Sequence, residues 1–259
     1  MISKRPSREE LQNLFDCNRT ANEIATIYEV KIGSIYKWAR ELGCISKMAT
    51  YRYDHLRQQE FSQLQNEFVV GTTLGDAHLD ERPSGSVRLM VTHCEQQKEL
   101  ISMAVSILDQ FVVRKEPRQS YKKKKDGSSN LHLTIESISH PKLREFRKLF
   151  YTKDRFKIVP EFEVIKDYLS PFTLAVLIMD DGWRNKDHQM GISSEGFLEE
   201  GNLKLQEMLH KAYGINSKIY SYFRRGKRYY HNMFDVVNSK KISNIIKGYV
   251  LDSFRYKLV

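Results

Sequence analysis

Two stretches of the chain share one pattern: an unbroken apolar segment of helical character that runs straight into an aspartate. The first is FVVGTTLGDAHL, residues 68–79, and the second is TLAVLIMDDGW, residues 173–183. Helices ordinarily end in Gly or Asn with Lys or Arg in the last turn, because partial negative charge collects at that end. Asp76, Asp180 and Asp181 therefore stand where the backbone repels them. The same order of elements follows each stretch. Short strands come first, SVRLMVTH in one copy and HQMGISS in the other, then an amphipathic helix, EQQKELISMAVSILDQFV or EEGNLKLQEMLHKAYG. Next comes a basic hairpin, residues 114–123 against SNLHLTIES around Asp126-Gly127, or residues 215–224 against YYHNMFDVV around Gly226. A last helix, HPKLREFRKLFY or SKKISNIIKGYV, leads into RFKIV at 155–159 or RYKLV at 255–259. Matching landmarks in one order predict that the chain from residue 63 is a duplication, 63–160 and 161–259, of a unit of roughly a hundred residues.

Alternation assigns the faces of these strands. In NLHLTIE, Leu131, Leu133 and Ile135 fall on one face and Asn130, His132 and Thr134 on the other. In NSKIYSYFR, Lys218, Tyr220, Tyr222 and Arg224 share a face opposite Ile219 and Phe223. One face packs and the other turns basic and aromatic side chains outward, toward a polyanion. Candidate contacts are Arg88, Arg118, Lys122 and His132 in the first copy and Lys218, Tyr222, Arg224 and Arg228 in the second.

Residues 1–43 have a different texture. Ser7 and Thr20 sit at helix-capping positions, the latter with Glu23 at capping-box spacing, and IGSIYKWAREL closes at Gly43. Three short helices with a tight turn between the last two predict a helix-turn-helix, with Ala25, Val30, Ile35, Trp38 and Leu42 inside. Ser34, Tyr36, Lys37 and Arg40 are left on the open side of the last helix as DNA contacts. A small protein-interaction bundle is the alternative, since residues 1–60 carry only ten basic against eight acidic residues. Residues 44–62 show no apolar period and read as a linker.

Composition narrows the partner. Lys and Arg outnumber Asp and Glu by 42 to 32, a net charge of +10, which favours nucleic acid. The longest aliphatic run, Leu174 to Met179, is too short to span a bilayer, so no membrane role is expected. The opening residues MISKRPSREE lack the apolar core of a signal peptide. Three cysteines without C-x-x-C spacing support neither a disulfide framework nor a zinc site. These features predict a cytosolic or organellar-matrix protein.

The two Asp-terminated helices are the most apolar parts of their copies and are expected to pack together, with Gly71 and Gly75 allowing close approach. Carboxylates would then meet at adjacent helix ends, an arrangement that calls for a cation. Magnesium suits it, because it takes carboxylate oxygens, keeps several waters and completes its shell with phosphate. A plain polar helix stop is the alternative for Asp180-Asp181-Gly182.

LAVLIMDDG, residues 174–182, resembles the nine-residue signature of the LAGLIDADG homing endonucleases at Leu174, Ala175, Leu177, Ile178, Asp181 and Gly182. VVGTTLGDA, residues 69–77, is similar at Gly71 and Asp76. The resemblance covers residues 63–259 and is to the single-chain, two-repeat members encoded by introns. It implies an α+β fold: a pseudo-twofold pair of αββαββα halves with antiparallel sheets forming a saddle over DNA, here with an added all-α helix-turn-helix. It also implies that Asp76 and Asp181 are catalytic ligands of a divalent metal, Mg2+ with Mn2+ as substitute, and that Lys157 and Lys257 lie near the scissile phosphates. The expected activity is cleavage of one phosphodiester per strand at a long double-stranded DNA site, by a monomer. Two other readings stay open: an RNA maturase that assists splicing of a host intron, and a non-cleaving transcriptional regulator.

Overall fold

In the computed structural model the two apolar segments form helices that pair along their length. The structure describes residues 5–17, 19–44, 53–123 and 127–259. The chain separates into two compact units, residues 1–59 and 60–259.

The first unit holds α1 (Arg8–Asp16), α2 (Ala21–Ile27), α3 (Ile32–Leu42) and the single turn α4 (Asp54–Arg57). Capping boxes Ser7–Glu10 and Thr20–Glu23 open the first two helices, and Gly43 closes the third in the left-handed conformation, φ 65°. Glu29 turns the chain between α2 and α3 at φ 53°. Leu11, Phe15, Ile24, Ala25 and Ile35 form the core, with Val30, Trp38 and Leu42 packed against it. Ile27 points outward, 55% exposed.

The second unit contains two successive halves of the same order. In the first, α5 (Gln63–Leu74) leads to β1 (His78–Glu81), β2 (Val87–Cys94), α6 (Lys98–Leu108), β3 (Arg118–Lys123), β4 (Ser129–Glu136) and α7 (Pro141–Phe150). A short connecting helix, α8 (Phe162–Ile165), precedes the second half. That half runs α9 (Pro171–Asp181), β5 (Gly182–Arg184), β6 (Met190–Ile192), α10 (Glu199–Tyr213), β7 (Lys218–Arg224), β8 (Lys227–Met233) and α11 (Val236–Ile246). Each half has one antiparallel four-stranded sheet, ordered β1-β2-β4-β3 and β5-β6-β8-β7. The duplication and the αββαββα grammar are thus present as expected.

Several boundaries differ from the sequence reading. The linker is shorter: Leu56 is buried, and Phe61 is buried in the second unit, against the rings of Phe111 and His140. Two apolar residues in a polar stretch are too few to show a period. Residues 45–52 of the expected linker lie outside the described residues. The first hairpin begins at Arg118 rather than 114, just after Pro117, which has no N–H for a ladder. Its expected turn at Asp126-Gly127 falls partly outside the described residues. In the second hairpin, Arg225 and Gly226 both take positive φ, 51° and 74°, the geometry of a two-residue turn. The returning strand stops at Met233, because Asp235 caps α11 by accepting from Asn238 N–H. No helix among the described residues is long and apolar enough to cross a membrane.

Candidate active site

The pairing of α5 with α9 is close enough that side chains are excluded at two points. A Cβ on Gly71 would sit 2.8 Å from the Thr173 carbonyl and 2.9 Å from Val176 Cβ. A Cβ on Gly75 would sit 2.6 Å from the Asp180 side chain. Val69, Val70, Ala175, Val176 and Ile178 are fully buried along the same pair. The helices therefore deliver Asp76 and Asp181 to one place at their C-terminal ends.

The three aspartates there have different environments. Asp180 is enclosed, with a side chain of zero exposure, while Asp181 is half-buried and Asp76 reaches the surface. Asp180 Oδ2 accepts from Thr72 Oγ1 at 2.9 Å and from the Asp76 N–H at 3.3 Å. Its Oδ1 lies 3.3 Å from His93 Nε2, a close charge contact without hydrogen-bond alignment. Burial would push the His93 pKa down, but the close Asp180 carboxylate lifts it above its ordinary value. Burial, and then the neighbouring negative charges, push Asp181 up to about 8. Asp76 is raised too, by burial first and by the Asp180 charge second.

Positive charge does stand at both helix ends, supplied from far along the chain. Lys157 Nζ donates to the Gly75 carbonyl, and to the Ala77 carbonyl at 3.3 Å. Lys257 Nζ donates to the carbonyls of Ile178 (3.2 Å), Met179 (2.6 Å) and Asp180 (3.3 Å). Each lysine thus occupies the place of the missing last-turn cation, one per helix. Burial holds both ammonium groups below the usual lysine range, against the pull of the aspartates. Their commitments differ. An ammonium has three N–H donors; Lys257 spends all three on carbonyls and is 5% exposed, whereas Lys157 is half-buried with one donor uncommitted.

The donor chemistry fits a hard divalent cation. Two carboxylates that resist ionising beside each other would be relieved by a double positive charge between them. No group of three or more His, Cys, Asp or Glu side chains among the described residues makes a self-sufficient cage. Water and a phosphate would have to complete the shell.

Strand register places the expected surface residues. Arg118, Ser120 and Lys122 pair with Thr134, His132 and Asn130, so these share the open face of the first sheet. Arg88 lies on that face as well, but its guanidinium is held between Asp80 and Glu136 at 2.8 and 2.5 Å, so its charge is already balanced. In the second sheet Lys218, Tyr220, Tyr222 and Arg224 pair with Met233, His231, Tyr229 and Lys227 on one face. Tyr222 stacks on Tyr229 and Tyr220 on His231. Arg228 pairs with Phe223 and covers its ring, which puts it on the opposite face from its expected companions. In the first unit Tyr36, Lys37 and Arg40 are exposed on α3, and Ser34 is half-buried.

Thr72 and His93 went unassigned in the sequence reading, although both left a signal there. Thr72 interrupts an aliphatic run, and His93 falls on the apolar face of β2 after Val87, Leu89 and Val91.

A sequence profile of the LAGLIDADG DNA endonuclease family matches residues 66–241. The chain belongs to that family of DNA-cleaving hydrolases. It is 26% identical over 209 residues to the DNA endonuclease I-ChuI of Chlamydomonas applanata, covering 76% of this chain and 95% of that protein. It is 24% identical over 226 residues to the cytochrome b mRNA maturase bI2 of Debaryomyces hansenii, covering 85% and 84%. Its fold is similar to that of the homing endonuclease I-WcaI, solved bound to its DNA recognition sequence. The TM-score is 0.70 at 19% identity, covering 81% of this chain and 92% of the other.

Proposed function

We propose that the chain cuts one phosphodiester in each strand of a long double-stranded DNA site, with a divalent cation held by Asp76 and Asp181. Magnesium is the expected cation and manganese a working substitute. The observation that carries this reading is the pair of aspartates at the abutting ends of α5 and α9, each beside a lysine from the end of its own half. A cation bound there supplies charge stabilisation at the reacting phosphate. The chain supplies the rest. Asp76 and Asp181 hold the cation, Lys157 offers its free donor to a phosphate oxygen, and Lys257 fixes the end of α9. The open sheet faces, with Arg118, Lys122 and His132 on one and Lys218, Tyr222 and Arg224 on the other, hold and read the duplex. Both halves lie in one chain, so a monomer serves both strands. Cleavage of a plasmid carrying the uninterrupted insertion site tests the reading, with one protein per duplex by light scattering. Binding without cleavage in Mg2+ or Mn2+ would overturn it.

The maturase reading has its own support in the similarity to bI2. Splicing of the host intron by the purified chain, without cleavage of the insertion site, would favour it. A regulator that only binds has less support, because both aspartates and both lysines are present.

Acidity gives a directional test. Asp181 has a folded pKa of about 8, above the carboxylate range of the unfolded chain, so folding takes up a proton between the two. Its contribution to the stability of the metal-free protein therefore falls as pH rises toward 8. A cation needs the ionised carboxyl, so its affinity rises over the same window. The Mg2+-induced increase in melting temperature is expected to be larger near pH 8 than near pH 6. An equal or smaller increase at the higher pH would separate Asp181 from the cation.

We assign the first unit to DNA as well, through Ser34, Tyr36, Lys37 and Arg40 on α3. A second module on one chain raises affinity through effective concentration without altering chemistry. A chain beginning near residue 60, at the start of the second compact unit, is expected to cleave the same site while binding more weakly. Its salt dependence should be shallower, since fewer phosphates are neutralised, and its footprint should be shorter on one flank. An unchanged footprint, affinity and salt slope would make these helices a protein-interaction bundle.

A further inference from the structure

The two halves of the centre are built to different plans where they meet. Helix α9 runs through Asp181 itself, whereas α5 stops at Leu74 and leaves Asp76 outside the helix. The Asp76 N–H, released from the helical ladder, is taken up by the carboxylate of Asp180 in the other half. Thr72 Oγ1 donates to the same oxygen and His93 stands 3.3 Å from the other one. No equivalent set exists around Asp181 among the described residues. The position before Asp76 is Gly75, with no side chain to reach across, and the duplication places Leu177 where the first half has Thr72. Strand register places Ser194 where the first half has His93, and that hydroxyl donates to Asn202 instead. Gly75 must stay bare, because Asp180 fills the space of its Cβ.

We propose that Asp180, together with Thr72 and His93, is a positioning group for Asp76 that has no counterpart beside Asp181, so that the two strands are cut by unequal machinery. The proposal rests on the endonuclease reading. Asp180 does not need to touch DNA or cation: it sets where the Asp76 carboxyl sits by holding its backbone from beneath. The contact is long but charge-assisted, and even a small displacement of a catalytic group is measurable in its rate.

The test uses the full chain and a duplex that the wild type itself selects and cleaves from a randomised pool, with a different fluorophore on each strand. Single-turnover cleavage in Mg2+ is followed for Asp180→Asn and Thr72→Val, with affinity measured in Ca2+ and folding by thermal melting. Thr72→Val removes one hydroxyl from a site of nearly unchanged volume, so it reports even if Asp180→Asn does not fold. The same strand is expected to slow about tenfold in each variant while the other changes less than about twofold, at unchanged affinity. Equal slowing of both strands would mean a general structural role and would overturn the proposal. So would unaltered rates on both. A wild-type chain that selects duplexes but cuts neither strand would remove the endonuclease reading, and this proposal with it.

Discussion

Replacement of Asp76 or Asp181 by Asn is expected to abolish double-strand cleavage, by at least about a thousandfold in rate, while duplex affinity stays within a few-fold. Asn keeps the shape and one acceptor oxygen but loses the charge that holds a divalent cation. The two variants should differ in stability. Asp181 is half-buried and its ionisation is opposed by burial and by two neighbouring aspartates, so its loss removes an unfavourable charge. Asp181→Asn is therefore expected to melt higher than the wild type at pH 8 without metal, and to gain less from added Mg2+. Asp76 is opposed in the same direction but reaches the surface, so Asp76→Asn should rise less than Asp181→Asn. Rates from a plasmid cleavage assay and melting curves with and without Mg2+ check both halves of this expectation. Full cutting by either variant would remove the cation seat.

The lysines should separate in the same way. Lys257→Met takes the ammonium donor from three carbonyls at the end of α9, of which Ile178 keeps the Gly182 N–H, and removes one of the positive charges facing Asp180 and Asp181, in a place closed to water. A loss of about 2–4 kcal/mol in folding stability is expected, together with slow cleavage. Lys157→Met removes a half-buried ammonium with two carbonyl partners and one free donor, so its stability cost should be smaller. Its main effect should be a fall of about a hundredfold in the rate on saturated DNA. Denaturant unfolding, read beside single-turnover cleavage, distinguishes the two. A Lys257→Met protein as stable as the wild type would mean that its carbonyl contacts carry no load. A Lys157→Met protein with weakened affinity but full rate would make Lys157 a simple phosphate contact.

Much of the architecture was legible because duplication writes each signal twice. One apolar run ending in Asp-Gly is a common polar stop; a second run in the same order of strands, helix and hairpin is a repeat. Alternation in NLHLTIE and KIYSYFR assigned which residues share a face, because the period of a strand is local; it did not decide burial, since Phe223, expected on a packed face, is 67% exposed. It did not place Arg228, whose face depends on where the hairpin turns. Arg225-Gly226 set a tight two-residue turn, and every side chain of β8 followed from that register. Arg88 was likewise legible as a basic residue in a strand, but the acids that balance it come from β1 and β4.

The cation at the helix ends shows the division most clearly. From the amino acids alone it followed that the chain is duplicated, that two apolar helices pair through Gly71 and Gly75, and that Asp76 and Asp181 meet where helix dipoles oppose them. Those conclusions rest on periodicity, residue volume and charge sign, which are properties of short segments. The family resemblance pointed to Lys157 and Lys257, but that they answer the aspartates by capping the two helix ends was decided only by the tertiary structure. Lys157 lies 82 residues from Gly75 and Lys257 lies 78 from Met179. Hydrogen bonds across such separations depend on the closure of a whole half-domain, and no local pattern encodes them. The unequal roles of Asp180 and Asp181 were decided there too. Adjacent on a helix, their side chains diverge by about a hundred degrees, and only the packing of α5 determines which one is enclosed.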